Sequence, residues 1–145
     1  MANKKRTMAR QRALQAFYQW EQTGQDIADI ELQFLTEQEM DRVDVAYFRE
    51  LFHEVPARLE RIDGLLAPHL DRTIAQLDLV ERSILRMAVY ELSFHPEIPY
   101  RVIINEAVAL AKVFGADQSH KFVNAVLDAA AGQIRSEEKT GRTTR

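Results

Sequence analysis

Apolar residues recur along most of this chain at steps of three and four positions, the spacing of one face of an α-helix. The first stripe predicts a helix over 7–22 that stops at Gly24, and Asp26 is placed to cap a short second helix. A third helix is predicted to begin near Asp41 or Asp44. No segment shows the sustained alternation of apolar and polar residues that is typical of a β-strand.

Pro56 falls inside the third apolar stripe. Proline either kinks a helix or splits it, because it lacks a backbone donor and clashes with the preceding turn. The apolar pattern continues to Pro68 and resumes at Asp78. We therefore predict that the chain divides near 68–78 into two helical halves.

The second half carries clearer helix boundaries. Asp78, followed three residues later by Glu81, resembles a capping box. The helix behind it is apolar around most of its circumference, which is typical of a central helix packed on several sides. Pro96 and Pro99 end that helix and open the next, and Gly115 provides a stop.

The last predicted helix has Asp117 and Ser119 as candidate caps and runs to Arg135. Residues 136–145 are polar and without periodicity, so we predict a disordered tail after a helical domain over 1–135. These patterns predict an all-α fold of about six or seven helices.

Positive charge is concentrated at the start of the chain. The first twelve residues hold five cations and no acid: Lys4, Lys5, Arg6, Arg10 and Arg12. The other 133 residues hold 14 basic and 22 acidic side chains. Phe17, Tyr18 and Trp20 follow directly, and cations beside flat rings suit single-stranded nucleic acid. Alternatively, the cations are ordinary solvated surface, and Phe17 and Trp20 belong to the core with Ala9 and Ala13.

Several kinds of chemistry are excluded by composition. The chain has no cysteine, which rules out disulfides and thiolate metal sites and fits a reducing, cytoplasmic setting. Its glycines stand singly, so there is no phosphate loop. One Glu-x-x-His occurs, at Glu50 and His53, whereas a di-iron bundle needs two. No apolar run nears the ~20 residues of a membrane span. We expect no catalytic residue, metal or cofactor.

Five stretches of the chain resemble the NusB family of bacterial transcription antitermination factors. They lie within residues 9–131 and read ARQRALQAFYQWEQTGQDIADIE, DVAYFREL, RSILRMAVYEL, IPYRVIINEAVALAKVFG and DQSHKFVNAVLDA. The resemblance implies an all-α fold of two packed three-helix bundles, without enzyme activity. It also implies binding to boxA, a short single-stranded RNA of ribosomal RNA leader transcripts, together with the ribosomal protein NusE. The pair would join RNA polymerase and other Nus factors and suppress premature termination.

The resemblance implies an RNA surface made of Lys4, Lys5, Arg6, Arg10, Tyr18, Lys121 and Phe122. Thr7 and Met8 interrupt the family's dense arginine run, which predicts less oriented phosphate contacts, because lysine offers a point charge where arginine offers a fork. Tyr18 shares a predicted helix face with Arg10. For Tyr18 and Phe122, burial in the core is the alternative.

The NusE surface is predicted at Glu81, Arg82, Arg86 and Tyr100. The alternative is a solvated helix face for the three charges and packing for Tyr100.

Two other functions remain open: a helical protein–protein adaptor without direct RNA recognition, and part of an RNA-modifying enzyme. The same helical domain is fused to some RNA cytosine methyltransferases, but this chain lacks a glycine motif for a methyl donor. Some family members self-associate, so a homodimer is a further partner state to consider.

Overall fold

The computed structural model describes residues 3–140, and all regular structure in that range is helical, as predicted. The α-helices are α1 (Lys4–Thr23), α2 (Ile27–Glu37), α3 (Val45–Ala57), α4 (Leu59–Leu66), α5 (Leu79–Phe94), α6 (Tyr100–Phe114), α7 (Ser119–Ile134) and α8 (Ser136–Thr140). Two 3₁₀ turns, Ala67–His69 and Ile74–Gln76, connect α4 to α5. None of the helices described for this range combines the length and apolar composition needed to cross a bilayer.

The chain forms two compact units, one ending at Arg58 and the other beginning at Leu59. The division therefore precedes the predicted segment 68–78, because α4 packs on α5 and belongs with the second half. Pro56 lies in the last turn of α3. The sequence predicted either a kink or a split at this proline. The structure shows the split, because α3 ends at Ala57 and α4 begins at Leu59.

The first unit is a three-helix arrangement of α1, α2 and α3 around aromatic side chains. The ring of Phe52 meets Phe17 edge-on at 5.2 Å between centroids and stacks with Phe48 at 6.1 Å. Asp44 begins α3 by accepting a hydrogen bond from the Tyr47 amide at 3.0 Å. Local side-chain chemistry thus sets a helix boundary, and aromatic packing sets the core.

The second unit is built around α5, which packs against α4, α6 and α7. Asp78 caps α5 by accepting a hydrogen bond from the Glu81 amide at 2.8 Å. The buried side chains of α5 include Ile84, Leu85, Met87, Ala88, Val89 and Leu92. The prediction of a central helix that is apolar on most sides is confirmed.

The corner between α6 and α7 differs from the predicted caps. Gln118, with φ 73° in the left-handed region, occupies the cap position, so Asp117 and Ser119 are not the caps of α7. Gly115 ends α6 with an ordinary φ of −87°. A Cβ there would lie 2.7 Å from the Ala111 carbonyl oxygen and 2.8 Å from Ser119 Cβ. Close approach of the two helices, not backbone conformation, requires this glycine.

Arg135 holds the end of α5 and the following loop. Its buried guanidinium donates hydrogen bonds to the carbonyls of Leu92 (2.8 Å), His95 (2.9 Å) and Ile98 (3.0 Å). Glu138 accepts from Arg135 and from the first amide of α6 at 3.0 Å. The predicted disordered tail therefore starts too early, since Ser136–Thr140 form α8. Its remaining residues, 141–145, lie outside the described residues.

Candidate nucleic-acid interface

The basic N-terminal segment, from Lys4 to Arg12, forms about the first two and a half turns of α1. The Asn3 side chain caps the helix by accepting a hydrogen bond from the Arg6 amide at 3.1 Å. Lys4 and Lys5 are exposed, whereas Arg6 is half-buried, with its guanidinium 4.2 Å above the Tyr47 ring. Two of the predicted phosphate-binding cations are thus on the surface of a helix, and a third is partly held by the first unit.

Arg10 is not an exposed cation. Its residue surface is only 5% accessible, and its guanidinium lies 5.5 Å above the Tyr47 ring. Leu14 and Phe17, four and seven positions later, are also buried, so Arg10 belongs to the inward face of α1. Its long apolar stem suits that position. The helical spacing with Leu14 and Phe17 was a signal in the sequence that could have indicated this.

Tyr18 is 45% exposed, so the core alternative for this residue is wrong. The predicted shared face of Arg10 and Tyr18 does not hold. Eight residues at 3.6 per turn leave a rotation of roughly 80° between them, enough to place one inward and the other outward. The exposed ring of Tyr18 is available for stacking without Arg10 beside it.

In the second unit, Ser119 at the start of α7 donates a hydrogen bond to the Glu81 carboxylate of α5. Both residues are buried. Burial raises the pKa of the Glu81 carboxyl above its ordinary value, the Ser119 hydrogen bond offsets part of that rise, and the negative charge of Asp78 adds to it. Glu81 therefore anchors the first turn of α7 from within the unit.

Next to that anchor, Lys121 is exposed and Phe122 is half-buried. The Phe122 ring is therefore neither a core side chain nor a free surface ring. Arg72, from the loop between the 3₁₀ turns, holds its guanidinium 4.5 Å from the centre of this ring. No pattern in the sequence distinguishes Arg72 from other surface arginines. Only the folded chain brings the two side chains together.

Comparison with known proteins agrees with this architecture. The model of the NusB family matches residues 7–132. The chain belongs to the NusB family. It is 55% identical over 130 residues to the transcription antitermination protein NusB of Proteus mirabilis, covering 90% of this chain and 95% of that protein. A NusB from Shewanella oneidensis is 54% identical over 128 residues, covering 88% and 96%.

Solved structures of NusB proteins also resemble this chain. A T. maritima NusB structure superimposes with a TM-score of 0.78 at 32% identity, covering 93% of this chain and 96% of that one. A crystal structure of the antitermination factors NusB and NusE in complex with double-stranded RNA gives a TM-score of 0.80 at 28% identity, covering 89% and 97%. The all-α fold is thus the NusB fold.

The four residues predicted to meet NusE are mostly engaged within the second unit. Tyr100 is 6% exposed, which favours the packing alternative, and Glu81 is buried against Ser119. Arg86 donates two hydrogen bonds of 2.9 Å to the Asp63 carboxylate, one from Nε and one from an Nη group. Arg82 is half-buried and donates to the Ile74 carbonyl at 3.5 Å, so the three charged residues do not form the solvated helix face that the alternative described. The contact of all four residues with NusE stays a prediction.

The lone Glu-x-x-His motif serves the first unit. His53 Nε2 lies 3.1 Å from a carboxylate oxygen of Glu31, and Arg49 Nε donates to the other oxygen. Burial alone would raise the pKa of the Glu31 carboxyl, but the hydrogen bonds from His53 and Arg49 outweigh it and lower that pKa. Among the described residues, no group of three or more histidine and acidic side chains could hold a metal ion.

Proposed function

We propose that this protein binds the single-stranded boxA RNA of ribosomal RNA leader transcripts together with NusE. In this role it would help the RNA polymerase elongation complex, with other Nus factors, to avoid premature termination. The observation that carries the proposal is family membership over residues 7–132. The likeness to a NusB crystallised with NusE and RNA supports the same assignment.

The exposed cations support the RNA half of this proposal. Lys4 and Lys5 are exposed on the first turn of α1, and Lys121 is exposed on the first turn of α7. The start of a helix favours phosphate, because its amides lack intrahelical partners and its dipole is positive there. Lysine on such a turn adds a mobile positive charge that can follow a flexible backbone.

Two rings support a single strand as the ligand. Tyr18 is exposed, and unpaired bases stack on aromatic side chains whatever their sequence. Phe122 is accessible only in part, because the Arg72 guanidinium lies over its ring. In a duplex the bases already stack on each other, so these rings would add little affinity. The relative's structure holds double-stranded RNA, and a duplex competitor therefore belongs in the test.

The test is fluorescence anisotropy of a boxA-like RNA 12-mer, with and without NusE, at several salt concentrations. A scrambled 12-mer and a duplex of the boxA sequence serve as competitors. We expect preference for single-stranded boxA, tighter binding with NusE, and a log–log salt slope of about −3 if roughly four phosphates are neutralised.

Equal affinity for boxA and scrambled RNA with NusE bound would contradict this function. It would leave the helical adaptor, which needs no RNA contact. Deleting residues 1–10 separates the two functions further, because an adaptor would keep NusE binding while an RNA-binding factor would lose boxA affinity. The deletion also removes Asn3 and Arg10, so its folding is checked by circular dichroism.

A further inference from the structure

We propose that Arg72 is an additional RNA-binding residue, whose guanidinium rests on the Phe122 ring and offers its outer face to a stacked RNA base. This inference rests on the proposed function and adds a residue to its RNA surface. Nothing in the sequence around Arg72 marks it, since no aromatic residue neighbours it in the chain. The assignment comes from the contact with α7.

The guanidinium of Arg72 makes two contacts within the folded chain. Its central carbon lies 4.5 Å from the centre of the Phe122 ring, within the range of a cation–π contact. Its Nε donates to the Asp71 carboxylate at 3.2 Å. Two contacts on a planar group restrict its rotation, so less entropy is lost when a further ligand stacks on it.

The outer side of Arg72 is reachable from solvent. Its side chain is 40% exposed although one face covers Phe122. Arginine planes stack with unpaired RNA bases as aromatic rings do, and they carry a positive charge that phosphate attracts. Arg72 on Phe122 therefore provides a stacking surface and a charge in one place.

The surroundings of this pair suit RNA. Lys121, adjacent to Phe122 in the chain, is exposed on the first turn of α7. Ser119 on the same turn donates its hydrogen bond to Glu81, a carboxyl group whose pKa the nearby charge of Arg72 also lowers. Because the Ser119–Glu81 bond itself does not involve Arg72, R72A should leave the first turn of α7 in place while changing the surface above Phe122, and urea unfolding of R72A checks that the unit stays folded.

The chain offers a matched control in the same unit. Arg61 lies over Phe94 at 5.6 Å, which is also an arginine on an aromatic ring. Both arginines are exposed residues of the second unit. R61A therefore removes one positive charge and one ring contact, as R72A does, but away from Phe122.

The experiment measures anisotropy of the boxA-like 12-mer with NusE for wild type, R72A, R72K and R61A across salt concentrations. We expect R72A to weaken binding about tenfold, as loss of a stacked base does, and R61A to stay within about twofold. R72K should keep the wild-type salt slope but remain at least about threefold weaker, because lysine keeps the charge and lacks the plane.

Three results would overturn the proposal. Equal affinities of R72A and R61A would show that the position above Phe122 has no special role. Full recovery by R72K would reduce Arg72 to a phosphate charge without stacking. No binding of boxA by the wild-type protein would remove the proposed function together with this inference, which distinguishes it from the first two.

Discussion

The Ser119 hydroxyl donates a hydrogen bond to the Glu81 carboxylate across 2.8 Å, joining the first turn of α7 to the first turn of α5. Because the acceptor is a carboxylate, this bond is stronger than one between neutral groups. It holds the turn that carries Lys121 and Phe122. The buried Ser119–Glu81 hydrogen bond therefore positions part of the surface proposed for RNA.

We expect S119A to lower the free energy of unfolding by about 2 kcal/mol, because the Glu81 carboxylate stays buried without this donor. The pKa of Glu81 should rise further in S119A, because in the wild-type protein the hydrogen bond from Ser119 lowers that pKa. Urea unfolding at pH 7 measures the first effect. Carboxyl chemical shifts followed through a pH titration measure the second.

S93A is the matched control for that variant. Ser93 Oγ is buried and has no hydrogen-bond partner among the described residues. Its removal should be neutral or slightly stabilising, because a buried hydroxyl without a partner costs free energy in the folded state. Similar losses in S119A and S93A would contradict the role given to the Ser119–Glu81 bond.

The second prediction concerns acid stability of the first unit. The pKa of Glu31 is lower in the folded chain than its ordinary value, so its contribution to stability is present above that ordinary value. It is lost as the pH falls through the folded pKa. We expect E31Q to cost about 1–2 kcal/mol at pH 7, a range kept small because Arg49 is largely exposed.

Urea unfolding of wild type and E31Q from pH 7 to pH 3 should show the two curves converging as the pH falls. E54Q is the control, because Glu54 pairs with Arg58 at 3.0 Å on an exposed helix surface. Such i,i+4 pairs contribute only about 0.3–0.5 kcal/mol. A gap between wild type and E31Q that stays constant with pH would rule out this explanation.

The third prediction separates exposed cations from the buried one. K4A/K5A should weaken boxA binding and make the log–log salt slope shallower by about 1.4, because two phosphates lose their partners. R10A should instead lower the free energy of unfolding by about 1–3 kcal/mol, since it empties a buried position above Tyr47.

Anisotropy and urea unfolding on both variants decide this third point. Wild-type unfolding in K4A/K5A with a reduced salt slope is the expected pair of results. An R10A protein of normal stability with a reduced salt slope would instead place Arg10 on the RNA surface, as the family resemblance implies.

The fourth prediction compares two glycines in the second unit. G115A should destabilise by about 1–3 kcal/mol, because its Cβ would overlap the Ala111 carbonyl oxygen and Ser119 Cβ. Gly132 lies on the exposed side of α7, and nothing is within 4 Å of its added Cβ. G132A should stabilise by about 0.5–1 kcal/mol through helix propensity. Thermal unfolding measures both, and a stabilising G115A would be incompatible with the close approach.

Helix boundaries set by local chemistry were predictable. Asp44 and Asp78 begin helices because a carboxylate can reach an amide three residues later, and Gly24 ends α1 because it accepts a left-handed backbone. Gln118 was missed because its position is set by the α6–α7 corner rather than by its own preference. Short-range signals therefore give the helices but not every connection.

The site was less predictable, because burial of a long charged side chain depends on its neighbours in space. Arg10 satisfies the pattern of a basic segment and of a helix stripe equally well, and only the Tyr47 ring decides between them. Arg72 and Phe122 lie in different elements, so no periodicity relates them. Exposed Lys4 and Lys5, by contrast, followed directly from the charge pattern.

Arg135 also has a consequence for the order of events during translation. The Leu92 carbonyl is synthesised 43 residues before the guanidinium that binds it, and the His95 carbonyl 40 residues before. The first unit ends at Arg58, so the residues of its three helices are all synthesised before those of the second unit. The second unit cannot complete these hydrogen bonds until Arg135 has been synthesised, so we expect the first unit to finish folding earlier.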